Sequence, residues 1–196
     1  MIRAVKGIAG VLLVITLFSA CSKSEPWKLK DISNVMPDLQ FTMTDQSGRL
    51  VHGKDFRGQV VLLYFGYTHC PDVCPTTLTT LAQAVRSLGA DAKAVRVLFV
   101  TVDPKRDTQA LMKQYVRAFG PEFVGLRGDQ QQLEELTRRY RVKYGLGKPD
   151  AEGNYEVSHS SAVYVFDREG HVRLLSMEAD SATSISHDLQ RLVAGA

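Results

Sequence analysis

The sequence predicts one α/β domain, a mixed sheet with helices on both faces, and three stretches carry that reading. Residues 60–65 (Val-Val-Leu-Leu-Tyr-Phe) are apolar without a break, as in a strand covered on both faces. Leu78, Leu81, Ala82, Val85 and Leu88 follow at helical spacing. Residues 95–102 form a second apolar run. Strand, helix and strand within about 40 residues make a βαβ unit, right-handed by the strong chirality of such crossovers.

The chain has 196 residues, which suits one such domain plus a short extra segment, and that segment lies at the front. Arg3 and Lys6 precede an apolar core over residues 8–18, and Ser19-Ala20-Cys21 follows. This is the pattern of an export signal. The core is too short for a membrane span, which needs about 20 residues. Phe18-Ser19-Ala20-Cys21 resembles a bacterial lipoprotein cleavage box, with Phe18 where leucine is usual. The reading is therefore a signal peptide over residues 1–20, a lipidated Cys21, and a polar tether over 21–36.

The domain then opens with Leu39, Phe41 and Met43 in period-two alternation, and Gln46-Ser47-Gly48 offers the turn of a hairpin. After the βαβ unit, Leu111, Tyr115, Ala118 and Phe119 mark a second helix, with Asp107 or Thr108 as its cap. Residues 123–126 predict a short strand. Asp129 caps a third helix, with Gln132 completing a capping box. Residues 148–154 are a turn-rich excursion. Residues 162–166 and 172–175 flank Asp167-Arg168-Glu169-Gly170 as a second hairpin, and Ile185, Leu189, Leu192 and Val193 close the chain with a helix.

Charge excludes one class of partner. Removing residues 1–20 takes away two of the 24 basic side chains, leaving 22 against 21 acidic ones. So balanced a surface makes no case for nucleic acid. Lipidation would also leave Cys70 and Cys74 as the remaining thiols, in an oxidising compartment. There they must be disulfide-bonded, kept reduced by a partner, or metal-bound.

Chemistry concentrates in three clusters, each beyond the end of a predicted strand, where ligands bind in open α/β sheets. The first is Cys70-Pro71-Asp72-Val73-Cys74-Pro75. Each proline disfavours helical geometry in the cysteine before it, and Pro75 suits the first position of the next helix. A shaped loop at a helix N-terminus favours thiolate. Thiolates are both the soft ligands of copper(I), zinc and iron–sulfur sites and the redox pair of disulfide exchange. Spacing alone leaves both chemistries open. The second cluster is Val102-Asp103-Pro104-Lys105-Arg106-Asp107-Thr108. Asp103 reads equally as a support or docking group for the cysteine site and as a turn residue. Asp107 reads as a plain cap. The third is Ser158-His159-Ser160, whose imidazole would add a nitrogen ligand to two thiolates, although histidines among serines are commonly ordinary loop residues. His69 adjoins the cysteine motif, while His52, His171 and His187 fall in turn-like or surface settings.

Residues 66–75, 102–108 and 155–160, in that order, resemble the corresponding motifs of the Sco/SenC family. These are thioredoxin-like, copper-handling proteins of cytochrome c oxidase assembly. The resemblance runs from about Leu39 to the C-terminus. It implies a thioredoxin-like fold over residues 37–196, with the opening hairpin added to it. It implies one copper ion, Cu(I) or Cu(II), held by Cys70, Cys74 and His159. It further implies delivery to the copper A subunit of the oxidase, with a copper donor protein and a thiol reductant as further partners. The family places an acidic residue at Asp103. Ser158 departs from the family, which usually has aspartate before the ligand histidine.

Two functions follow as expectations. One is a copper chaperone, exported and lipid-anchored to the cell membrane with its domain facing the periplasm or cell exterior. The other is a thiol–disulfide reductase that keeps the oxidase's copper-ligand cysteines reduced, using a Cys70–Cys74 disulfide and no histidine. Against a standard thioredoxin stand three residues between the cysteines rather than two, and no proline after Pro149 to face them in cis. A peroxidase reading, prompted by a peroxiredoxin-like opening at Pro37–Phe41, fits neither the cysteine context nor the His159 motif.

Overall fold

The two apolar runs become adjacent parallel strands at the centre of an eight-stranded sheet. A computed structural model describes residues 25–151 and 155–196. The export signal, the cleavage box and Cys21 lie outside these residues. In chain order the elements are β1 (Lys30–Asp31), β2 (Thr42–Asp45), β3 (Leu50–His52), β4 (Val60–Gly66), α1 (Val73–Ser87), β5 (Val95–Thr101), α2 (Gln109–Arg117), β6 (Phe123–Arg127), α3 (Gln130–Arg139), β7 (Tyr144–Leu146), β8 (Val157–His159), β9 (Val163–Phe166), β10 (Val172–Ser176) and α4 (Ala182–Val193).

The sheet order is β1-β10-β9-β4-β5-β6-β2-β3. β4, β5 and β6 run parallel, and the flanking strands pair antiparallel, so the sheet is mixed. All of β4 is buried, as its unbroken apolar sequence requires. Aromatic contacts sort the two faces. On one, Tyr64 meets Phe99 at 6.0 Å and Phe99 meets Tyr115 of α2 at 5.3 Å. On the other, Phe65 meets Tyr140, just past α3, at 6.5 Å, and Tyr140 meets Tyr164 at 5.4 Å. Neighbouring residues of one strand thus serve opposite layers, as strand geometry dictates. α4 packs beside α1.

Local capping sets the helix starts. Thr108 caps α2, its hydroxyl accepting from the Leu111 N–H at 3.3 Å. Asp129 and Gln132 form the capping box expected for α3. The opening hairpin forms as β2–β3, with Gly48 at φ +87° in its turn, a conformation glycine adopts without a Cβ clash. Its first strand starts at Thr42 rather than Leu39, because the Leu39 N–H donates to the Gly170 carbonyl at 2.8 Å and the Gln40 N–H to the Tyr140 hydroxyl at 3.2 Å instead of joining the hairpin.

The region read as a polar tether is partly docked. Leu29 and Ile32 are buried, and β1 adds to the sheet edge beside β10. The backbone N–H groups of Lys28 and Leu29 donate to the buried Asp188 carboxylate of α4 at 2.9 and 2.8 Å. The guanidinium carbons of Arg191 and Arg173 lie 3.9 and 5.5 Å from the Trp27 ring centroid.

Candidate metal centre

Cys70 and Cys74 flank the point where β4 turns into α1. Cys74 belongs to the first turn of α1, with Pro75 as its third residue rather than its first. The expectation that proline would keep Cys74 out of the helix is corrected here. The first turn needs no N–H from residue 75, so the ring removes nothing the helix would use. Cys70 stays in the preceding loop, and its sulfur accepts from the Cys74 N–H at 3.4 Å. Cys74 is fully buried under Gly66. A Cβ on Gly66 would stand 2.9 Å from the Cys74 sulfur and 2.7 Å from the Phe99 ring, so this glycine makes room for the thiol.

His159 closes the site from the other side. It ends β8, which pairs only with β7 among the described residues. Its Nε2 lies 3.1 Å from the Cys74 sulfur, and its Nδ1 lies 3.0 Å from the Ser160 carbonyl oxygen. A proton on Nδ1, donated to that carbonyl, leaves the Nε2 lone pair facing the thiols. The Tyr67 and Tyr64 rings stand edge-on to the imidazole at 5.8 and 6.1 Å. One donor atom from each of Cys70, Cys74 and His159 falls within 4.8 Å of the others.

The two thiols differ in acidity. Burial works to raise the Cys70 pKa. The N–H groups of Cys74 and Asp72, the Cys74 thiol and the Tyr67 hydroxyl overcome it and hold Cys70 below the ordinary thiol value. Burial pushes Cys74 up to about 12, with the neighbouring Cys70 adding to the rise. Cys70 thus ionises more readily than Cys74.

Asp103 is fully buried at the end of β5 and has no hydrogen bond to the three candidate ligands. Its carboxylate binds Arg106 and accepts from the Tyr155 hydroxyl at 2.7 Å. Asp107 is not the cap of α2. It is fully buried and accepts from Thr68 N–H at 3.0 Å, Thr68 Oγ1 at 2.6 Å and Thr101 Oγ1 at 2.5 Å, so it ties the loop before Cys70 to β5. Sequence reasoning missed this role because it depends on partners 39 and 6 residues away. His69 turns to Thr68 and Asp107, and His52, His171 and His187 turn to Thr42, Asp167 and Asp188. Ser158 is exposed, with its hydroxyl 3.5 Å from the Gly145 carbonyl oxygen.

The sequence profile of the SCO1/SenC family matches residues 30–194. The chain belongs to the SCO1/SenC family. The mitochondrial SCO2 homolog of Bos taurus is 44% identical over 156 residues, covering 79% of this chain and 59% of the bovine protein. The chain therefore spans under two thirds of that relative's length. The copper-bound structure of Bradyrhizobium japonicum ScoI superposes with a TM-score of 0.73 at 37% identity, covering 80% of this chain and 99% of that one. The apo Sco1 solution structure from Thermus thermophilus gives 0.75 at 34% identity, covering 87% and 99%. The fold is thioredoxin-like, as in these Sco structures.

Proposed function

We propose that this SCO1/SenC protein binds one copper ion through Cys70, Cys74 and His159 and passes it to the copper A centre of cytochrome c oxidase. The convergence of two sulfurs and one imidazole nitrogen within 4.8 Å carries the reading. Two thiolates and an imidazole suit Cu(I), and oxygen ligands from water or backbone would complete a Cu(II) site. Family membership and the copper-bound ScoI relative support copper over zinc. Metal binding displaces the thiol protons, so the high pKa of Cys74 makes affinity rise with pH. Titration of a chain starting at Ser22 tests the proposal. The expected result is one equivalent bound, thiolate-to-Cu(II) charge-transfer absorption, and an affinity about tenfold or more lower in His159→Ala. An unchanged spectrum and affinity in that variant would remove His159 from the site.

The acidity split between Cys70 and Cys74 favours thiol–disulfide exchange as a second reading, with Cys70 attacking and Cys74 resolving. Exchange with an oxidised copper A subunit that survives His159→Ala at full rate would favour it. We further propose that residues 1–20 direct export and that lipidated Cys21 anchors the domain to the membrane. No helix of the described residues is long and apolar enough to cross one. Cys21→Ser should move the protein out of the membrane fraction; retention there would refute the anchor.

A further inference from the structure

The β7–β8 ribbon stands apart from the main sheet. Its ladder joins Tyr144 to His159, Gly145 to Ser158 and Leu146 to Val157, and the eight-stranded sheet is complete without it. His159 therefore lies outside the ladders of β4 and β5, tied to them on its C-terminal side by β9, whose Val163 pairs with Tyr64. Another tie reaches the ribbon four residues earlier, at Tyr155. The Tyr155 hydroxyl donates to Asp103 Oδ1 at 2.7 Å. Its carbonyl oxygen accepts from Arg106 Nη1 at 3.0 Å, and its ring lies 3.7 Å from the guanidinium carbon. Arg106 Nε donates to Asp103 Oδ2, which closes the circuit.

The circuit is fixed to the thiol side of the molecule. The Asp103 N–H donates to Thr101 Oγ1 at 3.0 Å, at the end of the strand paired with β4. Arg106 also faces the Tyr67 ring at 5.7 Å, and Tyr67 is edge-on to His159. The Arg106 side chain is only 19% exposed, so its bonds to Asp103 are sheltered from competing water. A guanidinium can donate in its plane and stack on a ring at once; an ammonium cannot match that geometry.

We propose that Asp103 and Arg106 form a latch on Tyr155 that holds the segment through His159 over the two thiols, so that both are positioning residues for the imidazole. Its effect on copper rests on the proposed role of His159, but the latch itself belongs to the metal-free chain. Ordering residues 155–159 has an entropic cost that the latch offsets. Without it, His159 would still be present but would spend less time facing the cysteines.

Two measurements test this. The first is amide hydrogen exchange of the metal-free protein as wild type, Arg106→Ala, Arg106→Lys and Tyr155→Phe. Exchange over residues 155–159 should rise about tenfold in Arg106→Ala, nearly as much in Arg106→Lys, and less in Tyr155→Phe, which keeps the ring and loses one hydrogen bond. β4 and α1 should exchange as in wild type. The second is copper affinity in Arg106→Ala, His159→Ala and the double variant. Arg106→Ala should weaken binding about tenfold when His159 is present and not at all when it is absent. Unchanged exchange over residues 155–159 in Arg106→Ala and Tyr155→Phe would overturn the latch. Equal weakening with and without His159 would also overturn it, since Arg106 would then act on the whole fold. If Arg106→Ala fails to fold, the Tyr155→Phe exchange decides. Wild-type copper binding that ignores His159→Ala would instead refute the metal-site reading, and the exchange data would still judge the latch.

Discussion

The thiol side and the histidine side of the site are built in different ways. Cys70 and Cys74 follow a fully buried strand at the centre of the sheet and lead into a helix packed beside α4. The buried Asp107 binds their loop to β5. Among the described residues, His159 ends a three-residue strand paired only with another three-residue strand. Burial fixes the first region, whereas the second is held by one buried residue, Val157, together with polar and ring contacts. Under the proposed copper-delivery role, that asymmetry would keep Cys70 and Cys74 in place while His159 depended on contacts of modest strength.

The thiol side is where substitution should do most damage. Gly66→Ala would place a methyl group 2.9 Å from the Cys74 sulfur and against the Phe99 ring, both in the packed core. Overpacking of this kind costs about 1–3 kcal/mol. Denaturant unfolding should show that loss, with copper binding weakened as the sulfur is displaced. A Gly66→Ala protein with wild-type stability and copper spectrum would mean that the thiol side yields more easily than its burial implies.

A milder probe compares the two cysteines with each other. The Cys70 pKa lies below the ordinary thiol value, and that of Cys74 is pushed up to about 12. Near pH 8 Cys74 would stay protonated, whereas Cys70 would carry more thiolate than an ordinary cysteine. Brief alkylation of the reduced, metal-free protein should therefore label Cys70 and spare Cys74, as read by peptide mapping. Equal labelling would mean that Cys74 is neither as buried nor as weakly acidic as the structure has it.

The same contrast explains what the sequence disclosed. β4, α1 and β5 are legible because a strand buried on both faces must be apolar throughout and a packed helix must repeat its apolar side. Asp129 is legible because capping is local. The β7–β8 ribbon is not: Tyr144-Gly145-Leu146 is short, half-exposed and without alternation. β1 is hidden for a related reason, since Lys30 and Asp31 are exposed at a sheet edge that they join by backbone pairing. Asp107 and Tyr155 act through partners far away in sequence, so no local pattern announces them. The two cysteines stood out through their own motif, whereas His159 was singled out by the family resemblance, and only the fold shows it within reach of the thiols.

X-ray absorption of the Cu(I)-loaded protein, as wild type and as His159→Ala, tests the union of those two regions most directly. The expected wild-type site has two sulfur scatterers and one imidazole nitrogen, and the variant should lose the nitrogen and keep both sulfurs. An imidazole signal that persists in His159→Ala, or a wild-type site with a single sulfur, would contradict it.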